Sequence, residues 1–324
     1  MQDNNIVSLA SMVKPTAGVN ALRSNSPAGP RASENKRLGY CHALAIDSAA
    51  SPTEARKGWK LLQKDMALVP AGRIALVCES NEAADAESFS FAEGKLQVVK
   101  SKSFYMDRMA VTNSDYLQFV KAGGYADLSL WPNHIWPLMV QFVDLTGTAG
   151  PDFWKQGKPP RERMEHPVTG ISWYEATAYA SWVGKQLPGP IQWQRAGTWH
   201  LTVDGKADSA RYPWGSVYED RRANLWHGDR CATVPVNQYA DGATPNGIYQ
   251  LIGNVWEWTD SRFALPEALP EADGEMYEVR GGAFDTYFHS HATCQFRSGQ
   301  PAMVRANNTG FRCSVPADAI QQHA

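Results

Sequence analysis

Short amphipathic segments alternate with polar loops along this chain. In VTNSDYLQFVKAGG (residues 111–124), Tyr116, Phe119 and Val120 recur at helical spacing. Thr112 or Asn113 can cap that helix, and Gly123 with Gly124 stops it. ISWYEATAYASWVGK (171–185) predicts a second helix. Ser172 and Glu175 stand at capping-box spacing, Ala176, Tyr179, Ala180 and Val183 form a stripe, and Gly184 ends it. IQWQRAGTW after Pro190 predicts a third, which Gly189 leaves without a side-chain cap. PTEARKGWKLLQKD (52–65) predicts a short helix capped by Ser51 or Thr53. Beyond residue 200, Gly, Asn, Pro and Asp separate short β-type runs such as ATVPVN, YEVRGG and TGFRCSV. This pattern predicts an α+β domain of low regular content. Residues 1–60 are rich in Ser, Ala, Asn and Pro and are expected to form a largely disordered arm, with residues 61–324 as the domain.

Composition narrows the function classes. A net charge of −2 over 324 residues gives no basis for nucleic acid or an anionic membrane as partner. No apolar run is long enough to span a bilayer, and the N-terminus lacks a secretory pattern, so a cytoplasmic location is expected. Five cysteines, Cys41, Cys78, Cys231, Cys294 and Cys313, form neither a zinc spacing nor a complete disulfide framework. Twelve tryptophans, many in polar contexts, predict a core of aromatic rings that use their indole N–H groups. FHSHATCQFRSG (288–299) gathers His289, His291 and Cys294, a donor set suited to a redox metal. The same residues equally describe a small buried thiol beneath a polar loop.

HPVTGISWYEATAYASWVGKQLP, GIYQLIGNVWEWTD, VRGGAF and NNTGFRC occur in that order. Together they resemble the formylglycine-generating-enzyme (sulfatase-modifying factor) family over roughly residues 65–315. That family also takes in the C-terminal domains of ergothioneine-pathway sulfoxide synthases. The resemblance implies the formylglycine-generating-enzyme variant of the C-type-lectin fold. It also implies Cu(I) on two cysteines spaced C-x4-C. Cys294 falls on the second of these and His289 on the first, with Arg297 and Ser298 matching the residues that follow. On that basis Cys294 and His289 are the expected ligands of copper or iron. Arg297, Ser298, His291 and Trp258 are expected to contact substrate.

The function so implied is a metal-dependent, O2-using oxidase of a thiol-bearing peptide or small molecule. The missing first cysteine argues against sulfatase activation itself. The alternative is a non-catalytic ligand- or protein-binding module on the same scaffold, as in retroelement-diversified proteins, with residues 285–295 as contact surface. The resemblance further implies structural calcium on Gln250, Gly253, Val255 and Glu257. A second calcium set falls on Asn224, Leu225, Asp229 and Cys231. Arg280 and Arg312 are expected to buttress the fold.

Overall fold

Ser51 opens the described chain. In this computed structural model, residues 51–77, 96–201, 210–226, 231–264 and 274–320 are described. The Ser51 hydroxyl accepts from the Glu54 N–H at 3.3 Å, and a Glu54 carboxylate oxygen accepts from the Ser51 N–H at 2.8 Å. That capping box starts α1 (Pro52–Asp65). Leu62 is fully buried, and Trp59 packs edge-on against Tyr105. Packed structure therefore begins ahead of the expected boundary at residue 61. Residues 1–50 of the expected arm, with Cys41, lie outside the described residues.

Three small sheets follow among the described residues. β1 (Met66–Val69) and β9 (Ser314–Pro316) flank β4 (Phe104–Asp107), both antiparallel. β2 (Gly72–Val77) pairs with β3 (Leu96–Ser101). The third sheet carries the candidate site. β5 (Trp256–Arg262) lies between β6 (Met276–Arg280) and the short parallel strand β8 (Thr309–Gly310), and β7 (Arg297–Pro301) pairs beyond β6.

The expected helices are present. α2 (Asn113–Lys121) is capped by Thr112, whose hydroxyl accepts from the Asp115 N–H at 3.0 Å. α3 (Trp173–Trp182) starts on the Ser172–Glu175 capping box. Its capping Glu175 is fully buried and also accepts from Tyr125 Oη at 2.6 Å and pairs with Arg305 at 3.0 Å. α4 (Pro190–Thr198) begins without a side-chain cap from Gly189; Gln192 Oε1 instead accepts from the Gly189 N–H at 2.9 Å, and Pro190 presets the first turn. Among the described residues no helix is long and apolar enough to cross a membrane.

Strand alternation sorts the core into two apolar clusters. Trp258, Tyr277 and Val279 join α2 and α3 in one. Trp193 and Ala196 of α4 join Leu251, Ile252, Tyr212, Ala292 and Cys294 in the other. Glu257 and Arg280, register partners on β5 and β6, point toward the α4 side, where Trp193 Nε1 donates to Glu257 Oε2 at 2.8 Å. Other buried indoles also use their N–H. Trp131 donates to Gly124 O at 2.9 Å, Trp154 to Asn113 Oδ1 at 3.0 Å, and Trp258 to Ile171 O at 3.4 Å.

Arg312 buttresses the junction of the sheets, as expected. It grips Glu257 with two nitrogens, Nη2–Oε1 at 2.7 Å and Nε–Oε2 at 2.8 Å. It also donates to the carbonyls of Asp107 (3.1 Å) and Tyr249 (2.8 Å). Arg280 pairs with Glu278 at 2.6 Å and donates to the carbonyls of Cys294 and Gln295.

Candidate functional site

The segment between β6 and β7 builds the site on a tight turn. Gly281 and Gly282 both have positive φ (96° and 75°). A Cβ on Gly281 would stand 2.5 Å from Leu251 O, and one on Gly282 would stand 2.6 Å from Ala292 Cβ. Only glycine permits this approach. Thr286 Oγ1 accepts from the Ala283 N–H at 2.8 Å, and His289–His291 form a single 3-10 turn. The Cys294 N–H then donates to Arg211 O at 2.7 Å, tying the segment to the 210–218 loop.

Cys294 points inward. Its side chain has no exposure, and a Cβ placed on Gly197 of α4 would come within 2.6 Å of its Sγ. Burial in this apolar layer pushes the thiol up to about 12, although the nearby Arg280 charge pulls it down. The histidines lie on the outside. His289 is exposed and its ring stacks on Tyr218 (4.8 Å, 12°). His291, also exposed, stacks on Phe296 (4.6 Å, 19°). The sequence placed a thiol and an imidazole on one ion; the structure instead packs the thiol against a helix and the imidazoles against surface rings.

The His291–Phe296 pair belongs to a longer series of rings. Tyr287 meets Phe288 edge-on at 5.0 Å, Phe288 meets His291 at 5.5 Å, and Phe296 meets Trp256 at 6.1 Å. Tyr287 and Phe288 are 70% and 58% exposed, which sets them apart from the buried rings of the core. Trp226 is exposed, and its backbone N–H donates to Thr286 O at 3.2 Å.

Two expected substrate contacts are not available as such. Trp258 is fully buried in the α3-side core and cannot touch a ligand; Trp256, two residues earlier, takes the partly exposed place. Arg297 and Ser298 are successive residues of β7, so their side chains leave opposite faces and do not converge on one substrate. Arg297 lies over the Phe263 ring at 5.8 Å and 3.9 Å from Glu278. Ser298 is register partner to Val279 and half-buried.

Three of the four expected calcium ligands, Gln250, Gly253 and Glu257, have their oxygens engaged within the chain. Both Glu257 carboxylate oxygens are held by Arg312, and one also by Trp193. Gln250 Oε1 accepts from Asn254 Nδ2 at 2.7 Å, and Gly253 O accepts from the Val255 N–H at 2.9 Å. Calcium takes six to eight oxygens, drawn from carboxylates, carbonyls and water. Here the one carboxylate is neutralised by a touching guanidinium, so these residues do not fit the ion. In the second set, Asn224 O accepts from the Asn254 N–H at 2.8 Å, and Leu225 is a core residue. Cys231 is exposed in the left-handed region (φ 30°), and Asp229 lies outside the described residues. Among the described residues no group of three or more His, Cys, Asp or Glu could hold a metal.

A cleft of about 420 Å³ is lined by Asp65, Asp107, Ser114, Tyr179, Trp182 and Lys185 among others. Lys185 and Asp107 pair there at 2.6 Å. None of the sequence-predicted site residues lines it.

A sequence model of the family described as "Sulfatase-modifying factor enzyme 1-like domain" matches residues 52–317. This chain belongs to that family. Among curated relatives, the family member is similar to the inactive C-alpha-formylglycine-generating enzyme 2 of Bos taurus. They are 29% identical over 290 residues, covering 78% of this chain and 88% of the relative. It is equally similar to the formylglycine-generating enzyme of Thermomonospora curvata, with 29% identity over 313 residues, 82% of this chain and 95% of the relative. The hercynine oxygenase of Mycobacterium tuberculosis is 34% identical over 189 residues, 56% of this chain and 43% of its own. Among solved structures, PvdO from Pseudomonas aeruginosa superposes with a TM-score of 0.52 at 20% identity, covering 78% of this chain and 94% of its own. The fold is the formylglycine-generating-enzyme variant of the C-type-lectin architecture, as the ordered motifs imply.

Residues that sequence reasoning missed are Tyr218 and Phe296, rings against which the site packs, and of the alternating pair Trp256 and Trp258 it assigned the buried one to substrate. Their signal was an aromatic in a polar loop, which the chain repeats too often to single these out.

Proposed function

We propose that this family member is a non-catalytic ligand-binding module. Its contact surface is the ring face of Tyr287, Phe288, His291, Phe296 and Trp256, and its ligand is a protein or peptide. The observation that carries the reading is the complete burial of Cys294 Sγ against α4. A redox ion needs the thiolate, and burial of Cys294 among apolar neighbours disfavours that charged form. Exposed aromatic and imidazole rings offer large, rigid contact area at low entropic cost. The likeness to a relative whose name marks it inactive supports the same reading.

The test is selection from a displayed peptide library on the full chain. Peptides should enrich, and Phe288→Ala or His291→Ala should weaken them at least about tenfold, the loss of one good interface anchor. Failure to enrich, or binders indifferent to both substitutions, contradicts the reading.

A second reading is supported by the likeness to a formylglycine-generating enzyme and a hercynine oxygenase. In it, this chain oxidises a thiol-bearing peptide or small molecule with O2 and a copper or iron ion. Cys294 would then have to lose its proton and turn out of the α4 layer, and His289 would have to leave Tyr218. That cost ranks this reading second.

A further inference from the structure

Three buried amides occupy the ground between residues 224 and 254. Gln250 is 5% exposed and sits in the left-handed region (φ 48°). Its Nε2 donates to Pro235 O at 3.0 Å and to Gln238 O at 3.1 Å, while its Oε1 accepts from Asn254 Nδ2. Asn254, also left-handed (φ 68°), bonds both ways with Val234. Its Oδ1 accepts from the Val234 N–H at 2.9 Å, and its Nδ2 donates to Val234 O at 3.1 Å. Asn224 Nδ2 donates to Asn254 Oδ1 at 3.1 Å and to Ala232 O at 3.0 Å.

We infer that this amide network braces the turn in place of a bound calcium ion, with the Gln250 NH2 as the group that substitutes for the cation. The chemistry is complementary. Backbone carbonyls of Pro235, Gln238, Val234 and Ala232 present negative ends, and a divalent ion or a set of N–H donors can satisfy them. This chain supplies four amide N–H bonds to those four carbonyls. It supplies no surplus negative charge, because Arg312 neutralises Glu257. The glutamine has one methylene more than asparagine, and that reach carries its NH2 to two carbonyls of the 235–238 segment while its oxygen still meets Asn254.

The test is thermal unfolding of the full chain, with metal analysis of the purified protein. Wild type should carry no stoichiometric calcium and should give the same Tm in excess EDTA as in excess calcium chloride. An ion held at a hundred times its Kd would raise Tm by roughly 5–10 °C. Gln250→Glu keeps the shape but aims a carboxylate at Pro235 O and Gln238 O. In EDTA it should unfold at least about 5 °C below wild type. One equivalent of calcium in wild type, or a Tm that falls in EDTA, overturns the inference. So does a Gln250→Glu variant as stable as wild type in EDTA. The wild-type measurements decide the matter even if the variant does not fold.

Discussion

Arg312→Ala should destabilise the domain by about 3–5 kcal/mol, measured by urea unfolding, the usual consequence of removing one partner from a buried ion pair. Arg312 and Glu257 are 0% and 1% exposed at the side chain, so water cannot take over. Deleting the guanidinium strands the Glu257 carboxylate with only the Trp193 N–H, and it strips donors from the Asp107 and Tyr249 carbonyls. Adding Glu257→Gln to Arg312→Ala removes the stranded charge while keeping an acceptor for Trp193. The double variant should therefore recover part of the loss. An Arg312→Ala variant within about 1 kcal/mol of wild type would mean that the pair is hydrated in solution, against the burial seen here.

The second large effect concerns Gly197 and Cys294 together. Gly197→Ala should destabilise the wild-type background, because overpacking costs about 1–3 kcal/mol and helix propensity returns only about 1. The new methyl would stand 2.6 Å from Cys294 Sγ. In a Cys294→Ala background the same substitution should instead be neutral or stabilising, since the methyl enters the space the sulfur leaves. Such a change of sign is a coupling between two residues 97 apart in sequence. Additive effects would place the sulfur away from α4.

Much of the scaffold was legible because its signals are local. Thr112, Ser172 and Glu175 act within one helical turn, and they cap the helices that the apolar spacing predicted. The ordered motifs implied the family, and Arg312 in GFRC and Arg280 in VRGG brace the fold as expected. The site was less legible because its character depends on remote packing. Cys294 falls at a family ligand position, yet whether its sulfur meets an ion or a helix is decided by Gly197 on α4. Alternation separates Trp256 from Trp258 without saying which face of the sheet lies under α3. For Gln250 the sequence showed a glutamine at an expected calcium position. It did not show that the Pro235 and Gln238 carbonyls lie within reach of the amide.

Anaerobic Cu(I) titration of wild type and Cys294→Ala, each followed by metal analysis, addresses the central claim most directly. Other thiols, including the exposed Cys231, can take up some copper, so the difference between the two proteins is the quantity to read. With Cys294 packed against α4, both proteins should retain the same number of copper equivalents. Loss of one tightly held equivalent on substitution would show the sulfur gripping an ion, and it would return this chain to the oxidases of its family.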